Sequence, residues 1–224
     1  MTTRPAPDVL VATRQSLHRV AEHLLAAARK RDSGQITLLP GPGGFRTPPL
    51  GAGTVLAVVG TDLVVLGRAG ERRAPLTTLA DAAAFAGVEP GFPWTKHPPT
   101  TPFEPAAPLD IDQAAAQVLA EWFALGHEAL TGLAAAVSGE QPSDPQIFPE
   151  HFDLGVTAGR VNFGFSPGDE DIPEPYAYIG PHDGPPSGVD FWNASFGACR
   201  TRREVTTAEE ALTFFRAGRA ALDL

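Results

Sequence analysis

Apolar positions along this chain recur with two different periods, arranged in alternating blocks. From 9 to 31, Leu10, Leu17, Val20, Ala21, Leu24 and Ala28 return at helical spacing while Arg14, Arg19, Glu22, Arg29 and Lys30 fall on other faces. That pattern predicts an amphipathic helix. Asp8 is placed to cap its start and Gly34 to stop it. His18 and His23 ride on this helix and are assigned no role, since a lone helical histidine is commonly packed or solvated.

A β-rich stretch follows from Gln35 to Leu39 onward. Pro40-Gly41-Pro42-Gly43-Gly44 resembles a phosphate-cradling loop only superficially, because it lacks the Gly-Lys-Ser/Thr ending and a following helix; it is read as a plain turn. Runs over 54–59 and 63–66 flank Gly60-Thr61-Asp62 and predict a hairpin. Thr78-Leu79-Ala80-Asp81 is a capping box opening a short helix that ends at Gly87.

Residues 88–108 hold seven prolines. Proline removes ladder donors and blocks helix continuation, so a stiff, extended connector is expected there, pinned by Trp94 and Phe103. His97 has no chemical neighbour in sequence. The longest periodic stretch comes next, over 110–138, with Asp110 and Gln113 as capping box and Ile111, Ala115, Val118, Trp122, Leu130, Leu133 and Val137 as the buried stripe. His127, one turn after Phe123, is read as a packed group at the edge of the core. Strands are expected near 152–157, 160–165, 176–179 and 191–196, and a helix over 207–220.

The two halves share this order of long helix, β-rich stretch and capped helix. Gly67-Arg68-Ala69-Gly70-Glu71-Arg72-Arg73 and Thr77-Thr78 align with Gly197-Ala198-Cys199-Arg200-Thr201-Arg202-Arg203 and Thr206-Thr207. Asp81 matches Glu210 and Phe85 matches Phe214. The expectation is therefore an α+β protein, antiparallel sheet packed with two long helices, with an internal duplication of an α-β-α unit. Residues 1–224 form a single compact domain in this view, its halves 1–87 and 110–224 joined by a Pro-rich connector at 88–109. The second half is longer, and the surplus is expected as one insertion at about 165–182.

Charge narrows the partners. The net charge is −9, which argues against nucleic acid or an anionic membrane. It is uneven: residues 1–73 carry ten Lys and Arg against five Asp and Glu, while 74–224 carry seven against 21. Such asymmetry lets the halves attract each other within one fold or across a homodimer. Arg outnumbers Lys 15 to 2 in an Ala- and Gly-rich chain, a bias of high-GC bacterial coding sequences rather than a sign of arginine chemistry. One cysteine, Cys199, allows no internal disulfide and is read as a structural thiol. With no leader and no long apolar run, a cytoplasmic location is expected.

Candidate chemistry concentrates in 149–178. His151 and Asp153 stand two apart at a strand start, so both are expected on one side. They are the candidate metal ligands, with Asp169, Glu170, Asp171 or Glu174 needed to complete a site. The spacing does not fit a calcium loop. Asn162, Ser166 and Tyr176 complete the candidate ligand-binding set with His151, Asp153, Asp169, Glu170 and Glu174. Two readings stand. The region either binds an unidentified small-molecule or protein ligand without catalysis, or supports a metal-assisted, hydrolase-like reaction with His151 and Asp153 as ligands. The bland alternative for Ser166-Pro167-Gly168-Asp169 is a tight turn with a solvated acidic tip, with His151 hydrogen-bonded to backbone and Phe152, Phe163, Phe165, Tyr176 and Tyr178 supplying core. Asn193-Ala194-Ser195-Phe196-Gly197 lacks the first glycine of a nucleophile elbow. The sequence names no cofactor.

Ile147-Phe148-Pro149-Glu150-His151-Phe152-Asp153-Leu154, then Ser166-Pro167-Gly168-Asp169-Glu170 and Pro173-Glu174-Pro175-Tyr176, resemble a signature of a bacterial protein family of unknown function. The resemblance covers roughly residues 146–197 and is loose elsewhere; relatives often carry Trp where Phe148 stands. It implies that this stretch is a defining feature, and it implies no substrate, cofactor or catalytic role.

Overall fold

The computed structural model describes residues 5–91 and 98–224, so Trp94 and His97 lie outside the described residues. The chain divides into two compact units: Met1–Glu121 with Ile147–Phe152, and Trp122–Gln146 with Asp153–Leu224. Its class is α+β, with two five-stranded antiparallel sheets and helices.

The first unit opens with a helix in three parts: α1 (Pro7–Val20), a π-helical turn (Ala21–Ala26) and α2 (Ala27–Ser33). Asp8 lies in the first turn but makes no cap; Ala6 holds that position, and Pro7 starts the helix where its missing N–H costs nothing. Gly34 ends it in the left-handed conformation (φ 75°). Five strands follow as a meander: β1 (Leu39–Gly41), β2 (Gly44–Arg46), β3 (Val55–Val59), β4 (Asp62–Gly67) and β5 (Gly70–Pro75). The hairpin foreseen around Gly60 pairs Val59 with Asp62. β5 has no apolar alternation and escaped the sequence reading. Ladder pairing to β4 forms it, with Arg73 reaching Asp62 at 3.3 Å and the Arg72 guanidinium over the Phe85 ring at 4.8 Å. Thr78 then caps α3 (Leu79–Ala86) by accepting the Asp81 amide at 3.0 Å.

The polar stripe of the first helix is where the structure departs most from the hydropathy pattern. Arg14 and Glu22, assigned to faces away from the core, are both buried. The stripe runs Thr13, Ser16, Arg19, Glu22, His23, at helical spacing, and it holds the Pro-rich segment in extended form. Thr13 accepts the Asp112 amide (2.9 Å) and Ser16 the Asp110 amide (2.9 Å). Arg19 donates to the carbonyls of Pro108 (3.3 Å) and Glu104 (2.7 Å). Glu22 accepts the amides of Thr100 (2.8 Å) and Thr101 (2.9 Å). Prolines deny this segment a sheet ladder, so helix side chains supply partners for its peptide groups instead.

In the second unit, α4 (Gln113–Ala136) contributes its residues from Trp122 on. Its N-terminal cap is Asp112, which accepts the Ala115 amide at 2.9 Å, and not Asp110, whose amide is committed to Ser16. His127, expected at the core edge, is exposed. The sheet runs β10 (Ala198–Thr201), β9 (Tyr176–Pro181), β8 (Val161–Ser166), β7 (Asp153–Ala158), β6 (Gln146–Phe148), again a meander. The expected strand at 191–196 is not one. There the Asn193 side chain bonds both the amide (2.9 Å) and the carbonyl (3.2 Å) of Cys199, so a side-chain amide closes the edge of β10 in place of extended backbone. A capping box at Thr207 and Glu210 opens α5 (Ala208–Ala220). One sheet face packs Phe163 and Phe165 against Trp122 and Phe215 in edge-to-face contacts of 4.9 to 5.9 Å. Gly126 on α4 lets Phe165 approach: a Cβ there would lie 2.6 Å from its ring.

Both units therefore show helix, five-stranded meander, Thr-capped helix, in that order. The longer connections of the second sheet are 167–175, between β8 and β9, and 182–197, between β9 and β10, where the first sheet has only Gly60-Thr61 and Arg68-Ala69. The surplus is thus split between two loops.

Candidate functional site

The face of the second sheet opposite Phe163 and Phe165 carries the candidate chemistry, and it is largely buried, with Asp153 and Tyr176 9% and 6% exposed. Pairing sets Leu154 opposite Phe165, Gly155 opposite Gly164, Gly164 opposite Tyr178 and Ser166 opposite Tyr176. Alternation then puts Asp153, Gly155, Gly164, Ser166, Tyr176 and Tyr178 on one face, away from Phe163 and Phe165. The two glycines leave room on that face for a ring. A Cβ at 164 would run into the phenol of Tyr178.

Tyr178 reaches across these glycines and donates its hydroxyl to Asp153 Oδ2 in a short hydrogen bond. Tyr176 does the same to Asp169 Oδ2. Burial raises the pKa of both phenols, and the neighbouring carboxylate raises it further, Asp153 by its charge and Asp169 through the hydrogen bond. Both hydroxyls are therefore protonated at neutral pH and act as donors, not bases. The second oxygen of Asp169 accepts the amides of Asp171 (2.9 Å) and Ile172 (2.7 Å), so Asp169 organises the 167–175 loop as well as fixing Tyr176. The ring of Phe196 completes the group. It is 40% exposed, 6.2 Å from the Tyr176 ring and 6.3 Å from the Tyr178 ring.

Of the residues expected to act together, the structure joins Asp169 to Tyr176, with Ser166 opposite Tyr176 and its Oγ accepting the Gly168 amide at 3.1 Å. Asp153 belongs to the same face through Tyr178. Asn162 stands apart, exposed, accepting from Thr157 (2.8 Å) and facing His182 Nε2 (3.1 Å). Glu174 pairs with Arg203 at 3.0 Å, and Glu170 is exposed. His151 is exposed in a turn of the first unit, its amide on the Phe148 carbonyl (3.2 Å). The expected shared side for His151 and Asp153 fails because Phe152 between them has φ 52°, which breaks the extended alternation. No group of three or more His, Cys, Asp or Glu side chains able to hold a metal ion is assembled among the described residues.

Sequence reasoning passed over Tyr178 and Phe196. Tyr178 was legible in principle, two positions from Tyr176 and opposite a glycine; Phe196 was not, because only the fold of the 182–197 loop brings it there.

It also passed over a buried polar cluster in the first unit. Glu22 and His23 are 0% and 1% exposed on the π-helical turn, a distortion frequent at functional positions. Glu22 accepts the Thr100 and Thr101 amides and the Thr101 hydroxyl. His23 Nε2 lies 2.9 Å from the Thr101 carbonyl and His18 Nε2 lies 2.7 Å from the Pro149 carbonyl. Carbonyls only accept, so each ring carries its proton on Nε2. His18 stacks on Phe152, centroids 5.2 Å apart, and burial lowers its affinity for a proton although Glu22 opposes this.

No helix among the described residues is long and apolar enough to cross a membrane. Compared with protein-family models, with curated proteins and with solved structures, the chain matches none of them.

Proposed function

We propose that this is a non-catalytic binding protein whose ligand docks on the exposed Phe196 ring of the second unit, over the largely buried Tyr176 and Tyr178 pairs. One observation carries the proposal: two tyrosine–carboxylate pairs stand side by side on one face of that unit's sheet, Tyr178 with Asp153 and Tyr176 with Asp169, beside the exposed ring of Phe196. The hydroxyls are locked as donors and the carboxylates receive them, so what reaches solvent is chiefly the Phe196 ring with negative charge behind it rather than a nucleophile and its base. That combination favours a ligand with a cationic or flat unsaturated group. The test is a titration with arginine amide, followed by the aromatic NMR resonances of Tyr176, Tyr178 and Phe196. Saturable shifts, weakened in Phe196→Ala, are expected; linear or absent shifts overturn the proposal. Zinc and calcium titrations run in parallel. Stoichiometric metal binding lost in His151→Ala and in Asp153→Asn supports instead the metal-assisted, hydrolase-like reading.

The matching order of helix, meander and Thr-capped helix supports descent of the two units from an internal duplication. Under that reading, the 167–175 and 182–197 loops are what the second copy acquired, and they carry Asp169 and Phe196, two of the residues that define the proposed face.

A further inference from the structure

We propose that the extended segment around Thr100 and Thr101 is an acid-released latch on the first helix. Two consecutive residues of the segment are held by three side chains from one helical turn. Thr101 is gripped by Glu22 through its amide and hydroxyl and by His23 through its carbonyl. Thr100 is gripped by Glu22 through its amide (2.8 Å), and its hydroxyl lies 3.4 Å from His18 Nε2 and 3.2 Å from the Glu150 carbonyl.

The grip needs neutral histidines. With Nε2–H committed to the Thr101 carbonyl, the remaining nitrogen of His23, Nδ1, is buried and has no hydrogen-bond partner among the described residues. A proton added there creates a charged N–H with no acceptor in a water-excluded place, and that costs far more than an unused lone pair. Hydration of the new N–H requires the ring to move toward water, and the Thr101 carbonyl loses its donor when it does. His18 acts in the same direction, since burial disfavours its charged form.

Among the described residues, the groups that face the two rings are Glu22, Arg14, His23, Thr100, the Phe152 ring and the Pro149 carbonyl at His18, with Glu22, Thr101 and the Phe103 ring at His23. Glu22 is the one carboxylate among them, 3.8 Å from His18 Nε2, and it favours the protonated rings. Its two oxygens are already occupied by Thr100 and Thr101 donors, however, so it can turn toward a protonated imidazole only by letting go of the segment. Both routes for accommodating the proton therefore open the same contact. Release would uncover the polar stripe Arg19, Glu22 and His23 of the helix.

The test is amide hydrogen exchange at Thr100 and Thr101, corrected for intrinsic rates, at about pH 7 and about pH 5, which bracket the ordinary histidine range. Protection is expected to fall about tenfold or more at the lower pH while amides of the π-helical turn stay protected. A His18→Gln, His23→Gln variant keeps a neutral donor at each position and is expected to be equally protected at both pH values. Glu22→Gln is expected to be open at both. Unchanged protection in the natural protein, loss shared by the whole unit, or pH-dependence that persists in the double variant each overturns the latch. Should the double variant not fold, the imidazole resonances of the natural protein decide: strap opening must follow the His18 or His23 titration midpoint, and opening at a different pH overturns the proposal.

Discussion

Gly164 stands opposite Tyr178 in the pairing of β8 and β9, and the phenol occupies the space that a side chain at 164 would fill. The glycine is thus a steric condition for the Tyr178–Asp153 hydrogen bond. Gly164→Ala should lower unfolding free energy by about 1–3 kcal/mol through overpacking. Tyr178→Phe keeps the ring but removes a hydrogen bond to a carboxylate, for a loss of about 1.5–3 kcal/mol. Urea denaturation of both variants checks this. A glycine substitution without cost would mean that the ring does not lie over position 164.

Alkaline solution should weaken the fold. The folded-state pKa values of Tyr176 and Tyr178 are raised, first by burial. The unfolded chain ionises near the ordinary tyrosine value of about 10 while the folded chain does not. Their contribution is complete below that pH and is lost as pH rises above it. Thermal midpoints should therefore fall above about pH 10, less steeply in Tyr178→Phe. Absorbance of tyrosinate during the same scan ties the loss to ionisation.

Gly126→Ala sets two effects against each other. Alanine gains about 1 kcal/mol of helix propensity over glycine. Its Cβ, however, would sit 2.6 Å from Phe165 Cγ and 3.0 Å from Phe165 Cβ, the root of a ring locked between Trp122 and Phe215. Overpacking of about 1–3 kcal/mol should win, giving a less stable protein by chemical denaturation.

Thr78→Ala and Thr207→Ala should each cost about 1 kcal/mol by removing a helix cap. Asp81, which accepts the Thr78 hydroxyl, and Glu210, which accepts the Thr206 amide and hydroxyl, have lowered pKa values, caused chiefly by those bonds. A lowered carboxyl value stabilises the fold above the ordinary range and loses that contribution as pH falls through it. Thermal scans near neutral pH and again below about pH 4 should show Thr78→Ala converging on the natural protein, while Thr207→Ala, which leaves the Thr206 bonds to Glu210 intact, keeps its deficit.

Local chemistry was legible in the sequence wherever one short segment contains all the partners. Thr78 with Asp81, Thr207 with Glu210, the turn at Gly60-Thr61 and the stop at Gly34 depend on residues within four positions, so spacing and side-chain type determine them. The α+β class follows from the two hydrophobic periods for the same reason. What distant segments contribute could not be read this way. β5 is polar along its length and exists through its ladder to β4. Arg14 and Glu22 read as surface residues because charge predicts exposure, and His23 drew no role, yet a proline-rich segment some 80 positions away needs donors and acceptors it cannot find in a sheet. Tyr178 and Asp153 are 25 positions apart and meet because Gly155 and Gly164 fall opposite each other between them. The sequence alone determined the helices, the two threonine caps and the Gly60 turn, since those are near-neighbour matters of period and hydrogen bonding. Tertiary structure alone decided which polar groups are buried and paired, because that depends on which distant backbone is left unsatisfied.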